Sequence, residues 1–282
     1  MPITAPYHIT SSVTLALAED IGDGDVTAQL IDAQHHSHAT LICREAGTLC
    51  GTEWFNQSFL QLDHSTKIKW NFSDGDLLKE NDILCTVMGN TRVLLTAERT
   101  ALNFLQTLSG TASLSAYYSK LIASTKTKIL DTRKTIPGLR LAQKYAVKCG
   151  GGYNHRIGLY DAILIKENHI IAAGSIHNAT ATMRQLHPSL SIETEVESLS
   201  EFEQAIAARV DRVLLDNFTT EQLAQAVAIN NSLGQDSIQL EASGGVTDKT
   251  ILAIAETGVD FISVGAITKH LQALDLSLRI ND

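Results

Sequence analysis

Two short runs gather cations in a way that suits an anionic ligand: Asp131-Thr132-Arg133-Lys134-Thr135-Ile136-Pro137-Gly138-Leu139-Arg140 and Gly150-Gly151-Gly152-Tyr153-Asn154-His155-Arg156. Arginine offers a planar fork to a carboxylate or phosphate, and lysine a compact point charge. Three consecutive glycines stabilise no regular element; they fit where backbone bends tightly or approaches a ligand. Lys166 closes the apolar run Ala162-Ile163-Leu164-Ile165 and adds a further cation. Between Lys126 and Lys166 nine Lys or Arg face only two acids, a local charge of +7 in a chain of net charge −9, which leaves −16 for the remainder. Such an island marks a local anion site or, more plainly, a solvated helix face. The negative balance of the whole argues against nucleic acid or an anionic membrane as the main partner.

Two acids, Glu195 and Asp216, end consecutive apolar runs. Such a pair can hold Mg²⁺, which takes a few carboxylates together with waters and substrate phosphates. It can also accept hydrogen bonds from sugar hydroxyls, or simply pair with the neighbouring cations. Ser243-Gly244-Gly245 and Val264-Gly265-Ala266 follow the last two apolar runs and read as phosphate cradles. The chain has no G-x-S-x-G, Walker A, complete G-x-G-x-x-G opening a helix, or H-E-x-x-H. The tract His35-His36-Ser37-His38 is expected in a solvent loop, Asp23-Gly24-Asp25 in a turn or cap, and Cys149 as a small buried hydrophobe.

The elements that must carry these residues come in two styles. From residue 126 onward, short β-branched runs alternate with amphipathic stretches. The runs are Lys128–Leu130, Ala162–Ile165, Ser191–Thr194, Arg212–Leu215, Ile238–Leu240 and Phe261–Val264. Helices are expected over Leu199–Arg209, Glu221–Asn230 and Lys249–Glu256, with caps at Thr219-Thr220 and Thr247-Asp248 and a stop at Gly258. Parallel strands joined by crossovers follow. Because the polar residues sit at five or six different strand ends, a barrel mouth explains them better than the single switch point of a doubly wound sheet. The predicted fold is α/β: an incomplete β/α barrel over residues 111–282, preceded by an α+β domain over 1–110. That first domain has antiparallel strands such as Ala39–Cys43 and Ile83–Val87, and a long helix from Thr91 through Ile122. The 282 residues, 44% hydrophobic and 19% charged, suit a folded protein. Met1 to Pro6 show no secretory signal, no apolar stretch is long enough to span a bilayer, and four cysteines without a C-x-x-C pair read as reduced thiols. A cytoplasmic location is expected.

In order along nearly the whole chain, these motifs resemble the quinolinate phosphoribosyltransferases (nicotinate-nucleotide pyrophosphorylases). The resemblance is carried by Asp131 to Thr135, Pro137 to Arg140, Gly150 to Gly152, Asn154-His155-Arg156, Leu164-Ile165-Lys166 with Asn168-His169, and Glu98 to Gln106 with Leu108-Ser109-Gly110. Glu195-Val196-Glu197, Leu215-Asp216-Asn217, Ser243-Gly244-Gly245 and Gly258-Val259-Asp260 extend it. It implies a homodimer or higher homo-oligomer in which the N-terminal domain of one subunit covers the barrel mouth of another. By the resemblance, Arg133, Lys134, His155, Arg156 and Lys166 hold the two quinolinate carboxylates, and Arg99 reaches in from the partner subunit. Glu195 and Asp216 hold ribose hydroxyls and Mg²⁺. Ser243, Gly244, Gly245, Val264, Gly265 and Ala266 surround the phosphate of 5-phosphoribosyl 1-diphosphate. The implied catalytic set is Lys134, Lys166, Glu195 and Asp216. Alternatives within reach are a molybdenum-transport-associated homologue, a nicotinate phosphoribosyltransferase taking a monoacid, a Schiff-base aldolase using Lys166, and a dicarboxylate-binding protein. One departure is Thr268-Lys269-His270, where the family often shows Thr-His-Ser; it adds a cation.

Overall fold

A computed structural model describes residues 8–281; Met1 to Pro6, expected to carry no signal, lie outside the described residues. The chain begins α1 (Ile9–Ile21), β1 (His36–Cys43), β2 (Gly47–Thr48), α2 (Thr52–Leu60), β3 (Lys67–Trp70), β4 (Leu77–Leu78), β5 (Ile83–Asn90), α3 (Thr91–Leu121). It continues β6 (Lys128–Leu130), α4 (Arg140–Cys149), β7 (Ile163–Ile165), α5 (Glu167–Ala173), α6 (Ile176–Leu186), β8 (Ile192–Val196), α7 (Leu199–Ala207), β9 (Arg212–Asp216). It ends α8 (Thr220–Ser232), β10 (Gln239–Ser243), α9 (Ile251–Glu256), β11 (Phe261–Ser263), α10 (Ala266–Lys269), β12 (Leu276–Asn281). Two compact units result. The first holds the described residues through Ala116, Thr135–Gly151, and Ala266 onward; the second holds Tyr117–Lys134 and Gly152–Gly265.

In the first unit, antiparallel strands lie in the order β12-β1-β5-β3. Strand β1 alternates: Ala39, Leu41 and Cys43 are buried, while His36 and His38 face water. The histidine tract thus opens a strand rather than a solvent loop, and Ser37 between the exposed rings shares a 2.7 Å hydrogen bond with Thr91. Helix α2 adds Phe55 and Phe59 to the sheet's core, and α3 adds Leu94, Ala97, Ala101 and Leu105. The division differs from a single cut after residue 110. Strand β12 pairs with β1, Leu278 opposite Leu41, and α4 packs on α3, burying Ala142 and Ala146 against Leu108 and Ala112. Local patterning does not reveal that pairing, because the partners are more than two hundred residues apart in sequence.

The second unit is a parallel sheet in the order β6-β11-β10-β9-β8-β7. Strands β7 to β11 lie side by side in chain order, and β11 closes onto β6, the sequential march of a barrel rather than the reversal of a doubly wound sheet. Closure is incomplete: among the described residues β6 has on its other side only a bridge from Leu130 to Tyr153. Outward positions are apolar and covered: Ile192, Val196, Val213, Leu215, Leu240 and Ile262 are fully or almost fully buried. Caps stop and start the crossovers. Ser198 accepts the Glu201 amide at the start of α7, and Thr219 with Gln222 forms a reciprocal box at α8. The expected cap at Thr247-Asp248 differs: these residues form a turn, and α9 begins at Ile251 with no side-chain cap.

Gly150 ends α4 with φ −82°, a conformation open to any residue. A methyl there would lie 2.2 Å from the Ala112 carbonyl oxygen and 2.6 Å from Ser115 Cβ. Gly150→Ala is therefore expected to lower stability through overpacking alone, by about 1–3 kcal/mol, read as a lower denaturant midpoint.

Candidate active site

Strand alternation decides which side chains enter the barrel. The aligned registers put Glu193 and Glu195 of β8, Arg212, Leu214 and Asp216 of β9, and Glu241 and Ser243 of β10 on one face. Parallel strands buried on both sides are ordinarily almost wholly apolar. Here the inner face is largely polar, and it opens at the strand C-termini into a cavity of about 310 Å³. Arg133, Lys134, His155, Arg156, Lys166, Glu195 and Ser243 all line it, with Leu164 and Leu214 as apolar wall. Asp216, Gly244, Gly245, Val264 and Gly265 stand next to these residues in sequence or register but are not among the lining residues. Ala266 and Arg99 belong to the first unit, and Arg99 is exposed on α3.

The loop that brings His155 and Arg156 to the mouth is tied to the end of β6. Asp131, fully buried, accepts the His155 amide at 2.9 Å and the Asn154 side chain at 2.6 Å. Gly244 has φ +89°, and a Cβ there would lie 2.1 Å from Asn217 Oδ1. Only glycine permits that approach between the loops after β9 and β10. Asp216 Oδ2 accepts from the Asn217 side chain at 2.7 Å.

Electrostatically the mouth is a crowded cation site. The Lys166 ammonium pairs with Glu195, which realises the plainer of the sequence readings for that acid. Burial, and then the charge of Arg133 beside it, lowers Arg156 from the usual guanidinium value; it remains a cation. Arg133 Nε is buried without a hydrogen-bond partner. An orphaned cationic donor in a cavity wall is what an anionic ligand satisfies.

Sequence reasoning placed Glu241 at a strand end but gave no role to it, to Glu193 or to Arg212. His155 Nε2 lies 2.7 Å from Glu193 Oε2 and 3.6 Å from Glu241 Oε2, and Arg212 Nη1 lies 3.3 Å from Glu241 Oε2. Burial, with the Glu193 carboxyl beside it, pushes Glu241 up to about 8, and burial raises Glu193 as well. The signal was present as an acid alternating with apolar residues inside a run otherwise suited to a buried strand. These three acidic and imidazole ligand atoms are close enough to hold a cation, but Arg212 already supplies positive charge there.

An incomplete α/β barrel with cations, two part-buried carboxylates and glycine turns at its mouth defines a class: barrel enzymes that bind a small, multiply anionic substrate at the strand C-termini. Residues 25–109 match the N-terminal domain of quinolinate phosphoribosyl transferase and residues 111–279 its C-terminal domain. A probable nicotinate-nucleotide pyrophosphorylase (carboxylating) of Synechocystis is 43% identical over 94% of this chain and 90% of its own length. The Mycobacterium leprae nicotinate-nucleotide pyrophosphorylase (carboxylating) is 38% identical over 95% of each. The solved structure of the nicotinate-nucleotide pyrophosphorylase from Francisella tularensis superposes with a TM-score of 0.94 at 51% identity, covering 99% of this chain and 98% of that one. The chain belongs to the quinolinate phosphoribosyl transferase family.

Glu241 makes stability pH-dependent. Its carboxyl binds a proton more tightly folded than unfolded, so its contribution is complete below about 4.5 and is lost as pH rises through about 8. Glu241→Gln, which stays neutral, should therefore gain stability relative to the native chain as pH rises from 5 toward about 8. Denaturant unfolding at several pH values checks this; a constant difference would contradict it.

Proposed function

We propose that this chain joins the ring nitrogen of quinolinate to C1 of 5-phosphoribosyl 1-diphosphate, releasing diphosphate and then CO₂ to leave nicotinate mononucleotide. The observation that carries the reading is the density of cations lining one cavity, Arg133, Lys134, Arg156 and Lys166, with the buried Arg133 Nε unpartnered. One carboxylate would not require so many; two vicinal carboxylates would, which favours quinolinate over the monoacid nicotinate. Family membership supports the reaction class.

Departure of diphosphate leaves positive character on the ribose, and Glu195 and Asp216 lie on the strand face that can stabilise it. Lys134 and Lys166 offset charge on the acid and the leaving group. Once the ring nitrogen is alkylated, its positive charge accepts the electron pair left when the adjacent carboxylate departs as CO₂, and a proton from solvent completes the ring. The protein mainly orients and excludes water, in keeping with a site that shows no nucleophile constellation. Glu195 and Asp216, part-buried at the mouth of adjacent strands, fit a cation that keeps several waters. Mg²⁺ held there would neutralise phosphate charge. Ser243, with the glycine turns around Gly244, Gly245, Val264, Gly265 and Ala266, is assigned to the sugar phosphate.

The same reading has Arg99 acting from a partner subunit in a homodimer, each N-terminal domain covering another subunit's barrel. It places the protein in the cytoplasm, supported by four free, buried cysteines; burial raises the thiols of Cys43, Cys50 and Cys85, which keeps them unreactive. Among the described residues no helix is long and apolar enough to cross a membrane.

The first test is turnover with Mg²⁺, 5-phosphoribosyl 1-diphosphate and either quinolinate or nicotinate, following nicotinate mononucleotide and CO₂. Product from quinolinate alone is expected; product from nicotinate alone would replace the substrate assignment. A second test mixes inactive Arg99→Ala and Lys166→Ala subunits. Shared sites leave one intact site per mixed dimer, so activity should return, and no recovery would sink the trans arrangement.

A further inference from the structure

Beneath the mouth lies a layer that the reaction described above does not use. On the inner faces of β8 and β10, Glu193 and Glu241 stand one inward position deeper than Glu195 and Ser243, and on β9 Arg212 stands two deeper than Asp216, below Leu214. The side chain of His155, only 9% exposed, reaches down to them through Nε2. A barrel interior at this depth is ordinarily filled by Val, Ile and Leu, and apolar replacements of buried ion clusters are often as stable or more so. The polar layer also holds two carboxyls side by side out of water, Glu241 donating a hydrogen bond to Glu193. It therefore carries a cost that packing alone does not explain.

What the layer does visibly is hold one ring. His155 is anchored at its amide by Asp131 and at Nε2 by Glu193, with Glu241 backing the same nitrogen. Glu241 is in turn held by Arg212, whose guanidinium rests on the Phe261 ring at 4.3 Å. Both ends of the residue are thus fixed, and the ring forms part of the cavity wall beside Arg133 and Arg156. Resting on the proposed reading of this cavity as a dicarboxylate site, we infer that Glu193 and Glu241 are positioning residues: they clamp the Nε2 edge of His155 and so set the affinity for the ring di-acid, without acting on the phosphoribosyl donor. Burial keeps Glu241 largely protonated near neutrality, so Glu193 is the chief acceptor of the pair.

Steady-state kinetics of the full-length protein with quinolinate, 5-phosphoribosyl 1-diphosphate and Mg²⁺ tests this with three variants. Glu193→Gln keeps an oxygen that accepts from Nε2; Glu193→Leu fills similar volume with no acceptor; Glu193→Asp withdraws the carboxylate by one methylene. Losing one such hydrogen bond is expected to raise the quinolinate KM about tenfold in Glu193→Leu, while the donor KM stays within about twofold and Glu193→Gln within about threefold of the native chain. Equal behaviour of the Leu and Gln variants, or parallel rises in both KM values, would overturn the inference in favour of a purely structural layer. Should Glu193→Leu fail to fold, Glu193→Asp must raise the quinolinate KM selectively; an unchanged value overturns the inference. A native chain inactive with quinolinate defeats the functional reading and this inference together, whereas an active native chain with unaffected variants defeats this inference alone.

Discussion

Ions inside a barrel must find their partners within the barrel, because water is not there to screen them and the desolvation of each charge is expensive. That constraint organises the second unit. Glu193, Glu241, His155 and Arg212 satisfy one another across three adjacent strands and one loop, and the strands must keep their register for those distances to survive. A slip of one residue in β8 would turn Glu193 and Glu195 outward and bring Ile192 and Thr194 in. The polar layer therefore ties the register of the sheet to the composition of the mouth above it.

The mouth inherits its geometry from that layer and from Asp131. The loop from Gly152 to Arg156 belongs to no helix and to no strand beyond the Tyr153 bridge, yet its position is specified by Asp131 at the backbone and Glu193 at the ring. Arg133 and Arg156 are thereby held near each other against their mutual repulsion. Like charges held together in a partly desolvated cavity form a preorganised anion site, since the reorganisation has been completed before the ligand arrives. The pairing of Lys166 with Glu195 offsets part of that positive charge.

Much of this was legible in the residues. All six apolar runs became the six strands of one parallel sheet, and Lys166, Glu195, Glu241 and Ser243 at their ends line one cavity. The capping pair at Thr219 and the long helix from Thr91 also follow from local chemistry. The histidine tract was less legible, because a three-in-four histidine run looks like a loop until it is paired with β5 and β12 as part of β1. The cut after residue 110 follows the sequence motifs, which are local. Compactness divides the chain differently, because α4 and β12 find their partners among distant residues.

The sequence by itself determined the alternation of strands and helices, the sign and placement of the charges, and the motif order that marks the family, since each depends on neighbours a few residues apart. Tertiary structure alone decided which of those charges face one another. Glu193 and Glu241 are nearly fifty residues apart and look like ordinary acids in a strand; only parallel register on either side of β9 makes them one buried site on His155. The reason is physical: propensity and patterning are local, whereas a carboxyl's protonation and a ring's orientation are set by whatever charge the fold brings within a few ångströms.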